Sequence, residues 1–121
     1  MVFKASALRI FVTQFDAAVA FYRDTLGLAL EYLAEGVAHF SVENMELFVE
    51  KIEDDELDGE EHVGRFLAIS LEAQDIHHAY DSLRRRGVRF TGPPKKTLWG
   101  GYMTHFYDLE RNCLSLVQYP H

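Results

Sequence analysis

Three ionisable side chains on predicted strands, His39, Glu50 and His105, are candidates for metal chemistry. Two imidazoles and a carboxylate form a donor set that can hold a divalent cation and let it act as a Lewis acid. Such a site would support a metal-dependent lyase, isomerase or dioxygenase. A histidine on a strand is also commonly a half-buried packing residue, so both interpretations stay open.

Arg9 and Trp99 have the chemistry of ligand-binding residues. Arg9 could pair internally with Glu50 or Glu72, or hold a carboxylate or phosphate of a ligand. Trp99 is the only tryptophan, and the Gly-Gly pair that follows it is typical of a mobile rim where a ligand or backbone approaches closely. Trp99 could instead plug one end of a sheet, but we favour a binding role.

Other reactive side chains give no support for nucleophilic or nucleotide chemistry. Cys113 is the only cysteine and has no assured base. His77 and His78 are expected to face solvent at the start of a helix. The sequence contains no Ser-His-Asp order, phosphate-binding glycine loop or Cys-x-x-Cys pair.

A pattern that positions these residues occurs twice: a strand, a helix ended by glycine, and three more strands. In the first copy Thr13 is the predicted helix cap and Gly27 the stop; in the second they are Asp75 and Gly87. The predicted strands of the first copy cover residues 7–12, 28–33, 37–42 and 45–51. The second copy runs from Phe66 to Gln118, and after Gly87 its predicted strands cover 88–91, 102–107 and 113–118. Both helices have an apolar stripe that needs a sheet to cover it, so the predicted class is α+β with two βαβββ modules.

Composition favours one cytoplasmic domain over residues 1–121. Module one covers about 5–52, module two about 65–119, and an acidic linker, 53–64, joins them. Seven of its residues are acidic, which equals the net charge of −7, so we interpret it as a solvated connector rather than a loop over a cleft.

Membrane and nucleic-acid partners are not expected. No apolar run has the roughly 18 residues of a membrane span, and one unpaired cysteine suits a reducing compartment. The basic run 84–86 closes a helix, where cations favour the dipole.

Several motifs resemble one known family. They are FYRDTLGL at residues 21–28, GVRF at 87–90, WGG at 99–101, FYD at 106–108 and LVQ at 116–118. Together with the repeated βαβββ pattern, they resemble the glyoxalase, bleomycin resistance protein and extradiol dioxygenase superfamily, also called vicinal oxygen chelate. The resemblance implies a curved mixed sheet around a cleft, helices on the outer face, and usually a homodimer.

The resemblance also identifies four metal-ligand positions, here Ala7, Glu50, Ala68 and Ser115. Only Glu50 is a plausible ligand, because a methyl group cannot coordinate a cation and a neutral hydroxyl is a poor substitute for an imidazole. We therefore expect no metal and no other cofactor. A further departure from the family is Arg111, which replaces a turn glycine and should strain the turn if its φ is positive.

Strand alternation predicts which side chains line the cleft. If Glu50 faces inward, a two-residue Glu43-Asn44 hairpin brings His39 to the same face. The resulting surface is partly apolar and partly polar, which suits a small aromatic or drug-like molecule. The predicted function is metal-independent binding of such a molecule, similar to the bleomycin resistance branch, and not catalysis. The predicted ligand-binding residues are Arg9, Phe11, His39, Phe48, Glu50, Ser70, Trp99, Met103, His105 and Ser115.

Overall fold

The computed structural model describes residues 1–52 and 59–120 and divides into two compact units, residues 1–63 and 64–121. Part of the predicted linker, residues 53–58, lies outside the described residues, and Gly59–His62 forms a 3₁₀ turn. Unit one contains β1 (Leu8–Val12), α1 (Phe15–Ala20), a π-helical turn (Phe21–Thr25), β2 (Ala29–Ala34), β3 (Val37–Val42) and β4 (Met45–Lys51). Unit two contains β5 (Phe66–Glu72), α2 (Ile76–Arg85), β6 (Arg89–Phe90), β7 (Lys95–Lys96), β8 (Tyr102–Tyr107) and β9 (Cys113–Gln118).

The sheet of unit one has the strand order β1-β4-β3-β2. β1 pairs with β4 in parallel, whereas the other pairs are antiparallel. One face packs against the helix: Tyr22 is fully buried and its ring lies 6.2 Å from that of Phe40. The two-residue Glu43-Asn44 hairpin is confirmed, because Val42 pairs with Met45. The helix therefore covers one face and leaves the other available for function.

The first helix begins later than predicted. Thr13 is not its cap: α1 starts at Phe15, and Gln14 occupies the cap position without a side-chain cap bond. The carbonyl of Val12 still accepts a strand hydrogen bond from the Ile52 N–H at 2.8 Å, so the strand extends to Val12. Residues 13 and 14 then connect this strand to the helix. The predicted stop is confirmed, since Gly27 has φ +79°.

The sheet of unit two has the order β5-β9-β8-β6, with β7 also paired to β8. Asp75 caps α2 as predicted, accepting a bond from the His78 N–H at 3.1 Å, and Gly87 ends it with φ +91°. The predicted strand 88–91 shortens to β6, because the segment Gly92-Pro93-Pro94 interrupts it. The chain then returns to β8 as β7, which sequence analysis missed. The α+β class and the two βαβββ modules are confirmed.

Two backbone irregularities lie in unit two. The pairing of β5 with β9 shifts between Phe66 and Ser70, and Ala68 within this bulge has φ +57°. Arg111, which occupies the position of a turn glycine in the family, has φ +69°. The condition for strain in this turn is therefore met. Its turn is held by the buried side chains of Asp108 and Asn112. No helix among the described residues is long and apolar enough to cross a membrane.

Candidate functional site

The sheet face of unit one that is not covered by the helix brings five predicted residues together. Strand register aligns Arg9, Phe48 and His39 across β1, β4 and β3, and pairs Phe11 with Glu50 in a neighbouring row. Side chains of directly opposed residues point to the same side of a sheet. We call this surface face one.

Arg9 and Glu50 form the internal ion pair that was one of the two predicted alternatives. The guanidinium donates through Nε at 2.5 Å and through Nη2 at 3.0 Å to the two carboxylate oxygens. This hydrogen bonding and the charge of Glu50 raise the pKa of Arg9 above its usual value. The guanidinium also lies 5.1 Å from the ring centre of Phe11. Glu50 is thus already engaged by a cation of the protein.

His39 is held in a flat aromatic stack. Its ring lies 4.6 Å from that of Phe48, and the two planes differ by only 12°. Its Nε2 contacts the carboxylate of Glu46. Glu46 was not among the predicted residues, although it alternates with Phe48 and Glu50 on β4 and therefore shares their face. Face one therefore combines flat rings with matched pairs of charged or ionisable groups.

The corresponding face of unit two, which we call face two, carries the remaining predicted strand residues. Ser70 pairs with Ser115, Ser115 with His105, and Met103 with Val117. His105 Nδ1 lies 2.9 Å from the buried Ser115 hydroxyl. Phe66, which was not among the predicted residues, presents its ring in an edge contact 5.7 Å from the ring of His105. Alternation from Ser70 already places Phe66 on this face, and the shift in the β5–β9 register sets it opposite Cys113, in the row next to His105.

Trp99 lies in a short loop next to the end of β9. Its side chain is half exposed, at 46%, and its ring lies 5.5 Å from that of Tyr119. The Gly101 position allows this packing: an added Cβ would come within 2.0 Å of the indole and 2.3 Å of the Gln118 carbonyl. The predicted close approach at the Gly-Gly pair is thus made by the indole and the adjacent strand. A binding role for Trp99 stays a prediction.

The other reactive side chains offer no further chemistry. Burial raises the pKa of the Cys113 thiol, which disfavours the nucleophilic thiolate. His77 and His78 are exposed as predicted, and the ring of His77 contacts that of Tyr102 at 5.1 Å.

Comparison with known proteins decides the family. The model of the Glyoxalase/Bleomycin resistance protein/Dioxygenase superfamily matches residues 4–115. The chain belongs to this superfamily.

Individual proteins are similar to this chain over nearly their whole length. YraH of Bacillus subtilis (strain 168) is 27% identical, with 95% of this chain and 98% of YraH covered. A superfamily member from Sphaerobacter thermophilus DSM 20745 has a TM-score of 0.80 and 28% identity, with 98% of each chain covered. Lactoylglutathione lyase from Agrobacterium tumefaciens has a TM-score of 0.76 at 16% identity, with 98% of this chain and 95% of that chain covered, and shows the shared fold alone.

The superfamily's metal-binding positions do not fit a metal in this chain. Ala7 and Ala68 present methyl groups, and Ser115 contacts His105 instead. Glu50 pairs with Arg9. Within residues 1–52 and 59–120, no group of three histidine, cysteine or acidic side chains is arranged to hold a metal ion.

Proposed function

We propose that this superfamily member binds a small aromatic or drug-like molecule without a metal. The observation that carries the proposal is that side chains unable to bind a metal occupy most of the family's ligand positions, while aromatic side chains lie on the same sheet faces. Three of the four family ligand positions are Ala7, Ala68 and Ser115. Face one instead presents the rings of His39 and Phe48, and face two presents those of His105 and Phe66.

The ring geometry suits a flat ligand. The rings of His39 and Phe48 are stacked and nearly parallel, and Phe66 and Trp99 are 59% and 46% exposed. An offset or edge contact between aromatic rings contributes about 0.5 to 1.5 kcal/mol beyond the area it buries. Contacts of this kind on either face support binding by shape and stacking, with polar neighbours selecting the orientation.

The alternative is a metal enzyme that uses Glu50, His39 and His105. Each of these side chains has a protein partner, namely Arg9, Glu46 and Ser115. A metal would have to displace all three contacts. Metal-independent binding leaves them in place, which is why we prefer it.

A metal-controlled binding screen tests the proposal. Purified protein is treated with EDTA, analysed by metal mass spectrometry, and screened by thermal shift and calorimetry against mono- and bicyclic aromatic compounds. We expect binding to the metal-free protein, and the same affinity after addition of zinc, nickel, manganese or iron. Near-equimolar metal in the purified protein that is lost in Glu50→Ala, or binding that requires metal, would contradict the proposal.

A further inference from the structure

Unit two contains positively charged side chains that form no ion pair with a described carboxylate. Residues 82–107 include six arginine and lysine residues and no aspartate or glutamate. Two of them, Arg89 and Lys95, lie on the short strands that pair with β8. Both are exposed, and neither forms an ion pair with any residue that the structure describes.

Strand register places both cations around His105. Arg89 lies opposite Tyr107 and Lys95 opposite Met103. Tyr107, His105 and Met103 alternate along β8, so these side chains and their partners share face two. Arg89 and Lys95 are thus each displaced from His105 by two residues along the strand direction, about 7 Å. Both long side chains can reach a group that lies over the imidazole.

Glu72 and Asp108 do not neutralise this position, and no described ion pair joins Arg89 or Lys95 to a carboxylate. Glu72 shares the face, but it lies three strands away from Lys95, about 14 Å between backbones. The carboxylate of Asp108 is buried and accepts bonds from the Glu110 and Asn112 N–H groups and from the Asn112 side chain, each at 2.9 Å. An anionic ligand would therefore meet unmatched positive charge.

Face one differs in its charge balance. There Arg9 already has Glu50 as a bidentate partner, and His39 has Glu46. An anion binding to Arg9 would have to compete with a carboxylate that is already in place. The favourable position for an anionic group is consequently on face two.

We propose that the ligand is an aromatic compound with an anionic oxygen group, such as a carboxylate. The group lies over His105 between Arg89 and Lys95, and the flat body extends towards Phe66. A carboxylate can accept hydrogen bonds from a guanidinium and an ammonium together. His105 Nδ1 faces Ser115, which leaves Nε2 as the imidazole nitrogen for the ligand. This inference rests on the proposed function and names the class of molecule bound.

Matched ligands test the charge requirement. Each aromatic ring of the panel is measured by calorimetry as its carboxylate and as its neutral carboxamide, for example naphthalene-2-carboxylate against naphthalene-2-carboxamide. We expect the carboxylate to bind about tenfold or more tightly, with the advantage shrinking as ionic strength rises. Arg89→Gln and Lys95→Gln should each weaken carboxylate binding about three- to tenfold and leave carboxamide binding unchanged.

Lys96→Gln is the matched control, because it removes the same charge one residue away and Lys96 pairs with Tyr102 on the opposite face. Its affinity for the carboxylate should equal that of the parent. Equal binding of carboxylate and carboxamide, or equal effects of Lys95→Gln and Lys96→Gln, would overturn this inference while the proposed function stands. Failure of every aromatic compound, charged or neutral, would contradict the proposed function and this inference with it.

Discussion

At the residue scale, the exposure of the Arg9–Glu50 pair limits what it can contribute to stability. The Arg9 side chain is 58% exposed and that of Glu50 is 20% exposed, so solvent screens their attraction. We expect a double-mutant cycle with Arg9→Met and Glu50→Gln to give a coupling energy of about 1 kcal/mol or less in urea unfolding. The coupling should fall as salt is added.

Arg23 provides the control for this cycle. It forms a bidentate pair with Asp24 at 2.8 Å, away from the strands of face one. A parallel cycle with Arg23→Met and Asp24→Asn should likewise show a weak coupling that falls with salt, because both side chains are exposed. A coupling energy of several kcal/mol for Arg9 and Glu50 would show instead that the pair is a structural requirement.

Trp99 is the second residue whose role can be separated from stability. Because nearly half of its side chain is exposed, we expect Trp99→Ala to cost about 1 to 2 kcal/mol of unfolding free energy, below the 3 to 5 kcal/mol typical of a fully buried ring. Ligand affinity should fall about three- to tenfold through lost stacking. Indole emission of the parent should also change on binding.

The neighbouring Leu98 is fully exposed and supplies the matched truncation. Leu98→Ala should change neither stability nor affinity. A large loss of stability in Trp99→Ala, or unchanged affinity for an established ligand, would assign Trp99 a structural role.

At the element scale, the β8–β9 turn stores strain at Arg111. A left-handed conformation costs a residue with a side chain about 1 to 2 kcal/mol, whereas glycine adopts it freely but loses more entropy on folding. With φ +69° at this position, we expect Arg111→Gly to raise the unfolding free energy by about 0.5 to 1 kcal/mol in urea titrations.

Leu109→Gly tests whether the higher unfolding free energy expected for Arg111→Gly comes from the left-handed conformation at that position. Leu109 is in the same turn and is exposed, but it does not have a positive φ. Glycine there should lower stability by about 0.5 to 1 kcal/mol. If both variants were destabilised, the strain at Arg111 would be smaller than the entropy that glycine loses.

At the scale of the whole molecule, we expect a homodimer. Among the described residues, β1 pairs only with β4, and β5 pairs only with β9. Each sheet therefore ends in a strand with one edge that has no partner strand in its own sheet. The N-terminal residues Val2 and Phe3 expose 97% and 85% of their surface. A second copy could cover such surface. Light scattering at micromolar concentration should give twice the mass of one chain, and a monomeric mass would exclude this expectation.

The sequence by itself determined most of the elements and part of the site chemistry. Alternation and helical spacing identify both βαβββ modules, and Asp75, Gly27 and Gly87 mark helix limits, because these signals act over a few neighbouring residues. The absence of metal-ligating side chains at Ala7 and Ala68 is likewise a matter of residue type.

Only the tertiary structure decided which partners the site residues have. It chose Glu50 over Glu72 for Arg9, added Glu46 to His39, and brought Phe66 to His105 through the β5 bulge. The physical reason is that cross-strand register depends on turns, bulges and packing far apart in the chain. A shift of one residue in that register moves every side chain of the strand to the opposite face.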